Sequence, residues 1–195
     1  MGLRLQNTAY SVNIKERLDF SCALFSAAGE LIANAPHMPV HLGSMSESIK
    51  TVIARNPQMQ PGDVYMLNDP YHGGGHLPDF NVFSPVFSDP TSEDGGELLL
   101  VASIQCHHGD TGGSVPGGYN VTAADIWGEG ARWPVVKVID RGEERRDVLY
   151  ALTVNNRLPD YIGDLRAQMG AAQMAAERLG AMIDRYTVAT VEESV

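Results

Sequence analysis

The chain of 195 residues is long enough for one large domain, and its 44% apolar content excludes a disordered protein. No apolar run approaches the roughly 20 residues that cross a bilayer, which argues against a membrane protein. A net charge of −10 argues against nucleic-acid binding, because phosphates require a basic face. The N-terminus lacks the apolar stretch of a signal peptide, and two cysteines are too few for a disulfide framework, so we expect a cytoplasmic protein.

The beginning of the chain predicts extended structure. We expect extended backbone over residues 8–16, a strand over 20–25 and a further extended segment over 31–36. The last two segments flank Ala28 and Gly29, and glycine supplies the positive φ that a tight turn needs. The pattern therefore indicates a β-hairpin in this region.

A helix is expected after the hairpin. It should end before Asn56 and Pro57, because a proline pushes the preceding residue out of the helical region. Ser44 or Ser46 could cap its N-terminus. Its apolar stripe at helical spacing consists of Ile49, Val52 and Ile53.

The middle of the chain is rich in glycine and contains the remaining strand candidates. Extended segments are expected over residues 64–69, 79–87, 97–106 and 134–140. The segment 88–96 is acidic and is expected to form a surface loop that joins the second and third of these strands into a hairpin.

After Pro159 the apolar residues alternate spacings of three and four, which is typical of a long packed helix capped by Asp160. The seam consists of Ile162, Leu165, Met169, Ala172, Ala176, Leu179, Ile183 and Tyr186. The pattern fits a core helix and a subunit interface equally well. We expect an α+β fold with a mixed or antiparallel sheet and a loop-borne histidine and aspartate site. It would form a single domain over 1–195, with a mixed region (8–158) and a long packing helix (159–187).

All six histidines lie between residues 37 and 108, and two of them flank consecutive glycines. His72 and His76 have the four-residue spacing of a helical zinc pair, but the glycines at 73–75 make a helix very unfavourable. No Lys-Ser/Thr pair follows these glycines, so a phosphate-binding P-loop is excluded as well. The segment instead predicts a glycine-rich loop whose backbone can approach a ligand closely.

The hairpin of the two middle strands decides which side chains meet. If residue 87 lies opposite residue 97, Asp79 falls opposite Gln105 and His76 falls near His108, within a slip of about two residues. The same fold of the chain is expected to bring Asp69 and Asp110 to this end of the sheet. A group of histidine and carboxylate ligands that leaves coordination positions open is typical of a divalent-metal site that keeps water or substrate bound.

Some assignments stay open at this level. Because consecutive strand residues point to opposite faces, only one of His107 and His108 should bind the ion, and the other would act as acid, base or supporting residue. His37 and His41 either reach the same pocket or cap the helix that follows them. Cys106 is either a nucleophile beside a histidine or a buried structural thiol.

Three segments carry a family resemblance: NIKERLDFSCALFSAAGELIANAPHMPVHLGSM, PGDVYMLNDPYHGGGHLPD and HHGDTGG. With them the chain resembles the N-terminal part of the hydantoinase B/5-oxoprolinase family, over residues 8–187. Related subunits occur in N-methylhydantoinase and in acetone and acetophenone carboxylases. Family B subunits are usually well over twice this length, so the resemblance covers their first part only.

The resemblance implies a division of labour between two components. An ATP-using hydantoinase A-type subunit phosphorylates the carbonyl oxygen of a lactam, hydantoin or ketone, and the B component completes hydrolysis or carboxylation. The sequence contains no Walker-type motif of its own. The resemblance therefore implies a hetero-oligomer that acts on a small cyclic amide.

The resemblance also implies which residues form the site. His76, Asp79 and His107 would hold a divalent metal, with Mn, Zn and Fe as candidates. His108, Asp110 and His72 would have catalytic or substrate-facing positions. Two further residues, Asp69 and His41, are assigned next to the substrate or behind the ligands.

Three alternatives accompany this hypothesis. The first is a related ketone carboxylase subunit. The second is a non-haem iron oxygenase with a triad of two histidines and one carboxylate, although that triad usually has one residue between its first histidine and the carboxylate, whereas two separate His76 from Asp79. The third is a non-catalytic assembly fragment, favoured by the short chain and the long C-terminal helix.

Overall fold

The computed structural model describes residues 1–89, 91, 96–187 and 189–190. Within these residues, strands and helices form the predicted α+β fold. The strands are β1 (Phe20–Ser26), β2 (Leu31–Pro36), β3 (Val64–Leu67), β4 (Asp79–Phe87), β5 (Leu98–His107), β6 (Val136–Asp140) and β7 (Glu143–Glu144). The α-helices are α1 (Gly2–Thr8), α2 (Val12–Lys15), α3 (His41–Arg55), α4 (Arg146–Val154) and α5 (Tyr161–Tyr186).

The strands form one sheet in the order β2-β1-β5-β4-β3-β6-β7, and the paired neighbours are antiparallel. The predicted hairpins β1–β2 and β4–β5 are both present. In the second, Asp79 pairs with His107 and Asn81 pairs with Gln105. The register therefore differs by two residues from the alignment of Asp79 with Gln105, within the slip allowed for it, and it brings His107 directly opposite the aspartate.

Alternate side chains along each strand point to opposite faces of the sheet, and both faces are covered by helices. Helices α1, α2, α4 and α5 cover one face, here named the α5 face, onto which β4 and β5 direct Phe80, Val82, Ile104 and Cys106. Helix α3 covers the opposite side, the α3 face, onto which the same strands direct Phe83, Phe87 and Val101. Each side chain near the end of the hairpin is thereby assigned to one of two separate environments.

Helix α5 confirms the long C-terminal helix and shows what it packs on. Leu165, Met169 and Ala172 are buried in the core of the α5 face, and Ile183 is buried further along. The seam thus packs within the chain against β4 and β5. Asp160 stands at the N-cap position, but its side chain makes no capping hydrogen bond, so this part of the prediction is wrong.

The extended backbone expected over residues 8–16 is wrong, because this stretch contains the end of α1 and all of α2. Leu5 and Ile14 of these short helices are buried in the core of the α5 face. The backbone N–H groups of Tyr10 and Ser11, between the two helices, donate to the buried Asp164 carboxylate of α5. These tertiary contacts stabilise helices too short to persist alone.

Other boundaries differ in smaller ways. Helix α3 begins at His41, so neither Ser44 nor Ser46 is its cap. Helix α4 was not expected, and β6 begins two residues later than the predicted segment. In the acidic loop 88–96, residues 90 and 92–95 lie outside the described residues. Among the helices described, none is long and apolar enough to cross a membrane.

Candidate metal centre

Three side chains converge at the end of the β4–β5 hairpin. His76 Nε2 lies 2.8 Å from Asp79 Oδ1, and His107 Nδ1 lies 3.0 Å from the same oxygen. One nitrogen or oxygen atom from each of the three residues lies within 4.8 Å of the other two. Two imidazoles and one carboxylate are therefore oriented toward a common point.

The strand register explains this convergence. Asp79 is the first residue of β4 and His107 the last of β5, and the two are paired across the ladder. Both side chains lie on the α3 face, two residues before Asn81 and two residues after Gln105. His76 joins them through the turn before β4, where the Asp79 N–H donates to the His76 carbonyl at 3.0 Å.

A polar network holds the other carboxylate oxygen. Gln105 Nε2 donates to Asp79 Oδ2 at 2.9 Å, and Ser44 Oγ of α3 donates to Gln105 Oε1 at 3.1 Å. His41 Nε2 lies 3.5 Å from Asp79 Oδ2 and 3.5 Å from Asp19 Oδ1. His41 thus reaches the pocket, which resolves one of the alternatives left open by the sequence.

The electrostatics of the cluster favour an ionised carboxylate. Burial alone would raise the pKa of Asp79, but hydrogen bonds from His107 and His76 and the histidine charges lower it well below its ordinary value. The hydrogen bond to Asp79 raises the pKa of His76. Burial lowers the pKa of His41, against the attraction of Asp79 and Asp19. The carboxylate is therefore held ionised, which is the form that binds a metal ion.

Several residues of this network were missed in the sequence. Gln105 lies two residues before His107 in β5, so side-chain alternation could have placed it beside Asp79. Ser44 and Asp19 have no comparable local signal, because they arrive through the packing of α3 and through the pairing of β1 with β5. Tyr119 also approaches the cluster, with its ring centroid 6.0 Å from that of His107.

His108 lies apart from the cluster, in the core of the α5 face. Its Nε2 atom donates to Gln168 Oε1 at 3.1 Å, and its ring meets Phe80 and Tyr161 edge-on. The side chain is buried, and burial lowers its pKa. Of the two adjacent histidines, only His107 faces Asp79, as the alternation of side chains along a strand requires, and binding of an ion by His107 stays a prediction.

Asp69 and His72 form a separate group. His72 Nδ1 donates to Asp69 Oδ2 at 2.9 Å, and Arg132 Nη2 donates to the same oxygen at 2.8 Å. Together with the buried carboxylate they hold the short 3₁₀ turn Pro70–His72. A Cβ atom at Gly74 would lie 2.6 Å from the Asn68 carbonyl oxygen, so this glycine accommodates neighbouring backbone rather than a ligand.

Asp110 forms a third group, at the start of a glycine-rich loop. Its carboxylate accepts from Arg157 Nη1 at 2.9 Å, from the Arg157 N–H at 2.8 Å and from the Gly117 N–H at 3.1 Å. The prediction that Asp69, Asp110 and four histidines gather at one site is thus wrong, because alternation along the strands and local turns divide them among separate environments.

The remaining candidates also lie outside the cluster. His37 Nδ1 lies 3.2 Å from the Ala35 carbonyl oxygen, and the His37 ring contacts the Phe20 ring with the planes inclined by 31°. Both cysteines are free and buried. Burial raises the pKa of Cys22 to about 12 and that of Cys106 well above its ordinary value. Cys106 therefore has the character of a structural thiol.

Comparison of the whole chain with known proteins decides its family. The family model described as hydantoinase B/oxoprolinase matches residues 1–195. The chain belongs to this family. The resemblance carried by the three sequence segments is thereby confirmed.

Relatives of this hydantoinase B-type chain include cyclic-amide hydrolases. The 5-oxoprolinase of Saccharomyces cerevisiae is 38% identical over 203 residues, which cover 98% of this chain and 15% of that protein. The caprolactamase subunit beta of Pseudomonas jessenii is 36% identical over 197 residues, which cover 100% of this chain and 33% of that subunit. This chain therefore spans a third or less of the length of each of these relatives.

Solved structures agree with this placement. The crystal structure of the ATP-dependent caprolactamase from Pseudomonas jessenii matches with a TM-score of 0.89 and 36% identity, covering 98% of this chain and 32% of that chain. A nucleotide-free acetone carboxylase matches with a TM-score of 0.89 and 22% identity, covering 99% of this chain and 25% of that chain. At this lower identity the second match shows the common fold.

The donor set fits a divalent metal ion. The fit rests on one ionised, buried carboxylate and two imidazole nitrogens that already point at a single oxygen. Mixed nitrogen and oxygen donors suit Zn, Mn and Fe, and histidine ligands are commonly oriented by further hydrogen-bonded groups. Gln105 and His41 are such groups, because both hold the oxygen of Asp79 that faces away from His76 and His107.

Proposed function

We propose that this hydantoinase B-type chain forms the metal-binding part of an ATP-dependent cyclic-amide hydrolase. One observation carries the proposal: His76, Asp79 and His107 converge at the end of a central hairpin, on a fold common to this family. The identity of 36–38% with a caprolactamase subunit and a 5-oxoprolinase supports a lactam-type substrate class.

The chain's own residues would prepare this site before substrate arrives. Gln105 and His41 hold Asp79 so that its Oδ1 atom meets the two imidazole nitrogens. The His76 side chain is 45% exposed, whereas that of His107 is 11% exposed, so substrate would approach from the His76 side. A divalent ion bound here would polarise a carbonyl or phosphoryl oxygen and lower the pKa of bound water.

The ATP chemistry is assigned to a partner subunit of the hydantoinase A type. Phosphorylation of the lactam carbonyl oxygen there would produce the activated species that this chain receives. The caprolactamase relative, an ATP-dependent enzyme with a subunit named beta, supports a complex of more than one chain. Addition of water to the activated carbon and cleavage of the ring C–N bond would leave an acyl phosphate and the protonated ring amine. A second water would then release inorganic phosphate and the ring-opened amino acid.

The remaining predicted site residues receive supporting roles in this proposal. His108 would fix the hairpin against α5 through Gln168. Asp110 would hold the loop that follows β5 through its hydrogen bonds with Arg157. His72 and Asp69 would hold the glycine-rich turn before His76.

The test uses the protein co-purified with its ATP-using subunit. ATP-dependent ring opening of 5-oxoproline, hydantoin and caprolactam is measured by release of the ring-opened acid, which is an amino acid for the two lactams and a carbamoyl amino acid for hydantoin. Metal content is determined by elemental analysis. We expect wild-type protein to bind a divalent ion and to open at least one of these rings. The double variant His76→Ala/Asp79→Ala should lose both the ion and the activity.

His72→Ala is the matched control, because this histidine lies four residues before His76 and contacts Asp69 instead of the cluster. It should retain the bound ion. Full activity in the double variant would contradict the proposed site. ATP-dependent carboxylation of a ketone, in place of ring opening, would contradict the proposed substrate class and place the chain with the carboxylase relatives.

A further inference from the structure

Tyr119 lies over the two histidines of the cluster. Its ring centroid is 6.0 Å from that of His107, with the planes inclined by 26°, and 6.4 Å from that of His76. The residue is 66% exposed, whereas His107 and Asp79 are buried. The solvent side of the cluster is therefore bordered by His76 and by an aromatic ring with an open face.

The backbone on both sides of Tyr119 is anchored. Gly118 has a φ of +70°, and a Cβ atom there would lie 3.3 Å from Pro78 Cγ, so the loop passes close to the turn between His76 and Asp79. On the other side, Asn120 Nδ2 donates to Ser114 Oγ at 2.7 Å.

The start of the same loop is held as firmly. Asp110 accepts from the Gly117 N–H, and Arg157 donates to the carbonyl oxygens of Gly112 and Val115. Arg157 also contacts the Gly113 carbonyl. Anchors on both sides of Tyr119 thus present an exposed side chain at a defined place, which is the arrangement of a binding contact.

We propose that Tyr119 is a substrate-positioning and specificity-determining residue of the metal site, and that its ring forms the wall against which a cyclic amide lies. This inference rests on the proposed function and extends it. The planar amide portion of a small ring can lie against an aromatic face, and ring size then decides how well its reacting carbon is presented. This role requires the aromatic ring and not the phenol oxygen, so a phenylalanine at position 119 should fulfil it equally well.

The test compares wild-type protein with Tyr119→Ala, Tyr119→Phe and Val121→Ala, each purified with the ATP-using subunit. Val121 is the matched control, because it lies in the same loop and is 97% exposed. Steady-state KM and kcat are measured for 5-oxoproline and caprolactam. Binding of each lactam is measured by calorimetry, and metal content by elemental analysis.

For Tyr119→Ala we expect unchanged metal content, weaker binding and a KM about tenfold higher, with kcat less affected. The ratio of kcat/KM between the five-membered and the seven-membered lactam should also change. Tyr119→Phe should restore the wild-type values, and Val121→Ala should match wild type throughout.

Two results would overturn the role of Tyr119 while leaving the proposed function intact. Unchanged KM, binding and ring preference in Tyr119→Ala would make it a surface residue, and loss of the ion would make it a support of the metal cluster. If wild-type protein opens no cyclic amide at all, the proposed function itself has failed, and the inference fails with it.

Discussion

Two adjacent histidines at the end of β5 show how different the two faces of this sheet are. His107 lies on the α3 face, where its neighbours across the ladder and along the strand are Asp79 and Gln105. His108 lies on the α5 face, between Phe80 and the long helix α5. The same residue type thus belongs to a candidate cation site on one face and to a packed core on the other.

Buried polar contacts therefore have two different uses within one hairpin. On the α3 face, hydrogen bonds orient a charged carboxylate toward a point that is open to solvent on the His76 side. On the α5 face, Gln168 Nε2 donates to the carbonyl oxygens of Phe80 and Ile104, at 2.7 and 2.8 Å, and fastens α5 to both strands of the hairpin. The first network orients the proposed metal ligands, and the second fixes the hairpin that carries them against α5.

Replacing each of the two histidines by alanine in turn should give the largest difference in metal affinity. His107→Ala removes one of the three proposed ligands, so the affinity for Zn²⁺ or Mn²⁺ should fall by more than about a hundredfold, whereas His108→Ala should leave it nearly unchanged. Equilibrium dialysis with elemental analysis measures this effect. Equal loss of affinity in both variants would show that the two histidines act as one site.

For stability we expect the opposite order, with a larger effect of His108→Ala than of His107→Ala. His108→Ala opens a cavity beside Phe80 and leaves the Gln168 amide oxygen unpaired, so the free energy of unfolding without metal should fall by about 2–4 kcal/mol. His107→Ala should cost less, because the His107 ring packs against the partly exposed rings of His76 and Tyr119 instead of an apolar core. Urea denaturation in the presence of a chelator provides the comparison, and a greater loss for His107→Ala would reverse our assignment of the faces.

Gln168→Leu tests whether the α5 face supports the metal site from behind. Leucine keeps the apolar bulk but leaves the Phe80 and Ile104 carbonyls without the amide donor, so stability should fall by about 1–3 kcal/mol. We expect the metal affinity to change little while the protein remains folded. Gln173→Leu, in the same helix, is the control, and an equally large loss of stability there would show that the effect is not specific to the buried amide.

The smallest effect on stability is expected at another buried carboxylate, that of Asp63. Asp63 accepts from Lys137 Nζ at 2.9 Å, from Tyr65 Oη at 2.7 Å and from the Arg141 N–H at 2.9 Å. Burial would raise the pKa of Asp63, but these partners lower it below 3.8 overall. Its stabilising effect is therefore present above pH 3.8 and lost as the pH falls through the lower folded-state value.

Asp63→Asn should accordingly be less stable than wild type at neutral pH, and the difference should shrink as the pH falls below 3.8. Urea denaturation of both proteins at a series of pH values measures it. Added Zn²⁺ should stabilise both proteins equally, since Asp63 is surrounded by lysine and backbone donors rather than by histidines. A difference that stays constant down to low pH would contradict the lowered pKa of Asp63.

Local patterns predicted much of this fold because they record contacts between residues close in the chain. The alternation and turn residues of the β1–β2 hairpin, and the seam of α5, correspond to elements of the structure. Residues 8–16 were misjudged because their helices depend on burial of Leu5 and Ile14 and on the Asp164 carboxylate of α5. Ser44 is not a cap because α3 already begins three residues earlier, at His41, and the Ser44 hydroxyl, inside the helix, donates to Gln105.

The family motifs and the pattern of two adjacent strands were enough to recognise the family and to predict the β4–β5 hairpin, with Asp79 aligned two residues away from its observed partner His107. The set His76, Asp79 and His107 came from the family resemblance. Long-range packing places His41 in this cluster, keeps His108 and Asp110 out of it, and brings Tyr119 over it. Such placements depend on which helix covers each face and where a long loop returns, and contacts distant in sequence leave no periodic signal.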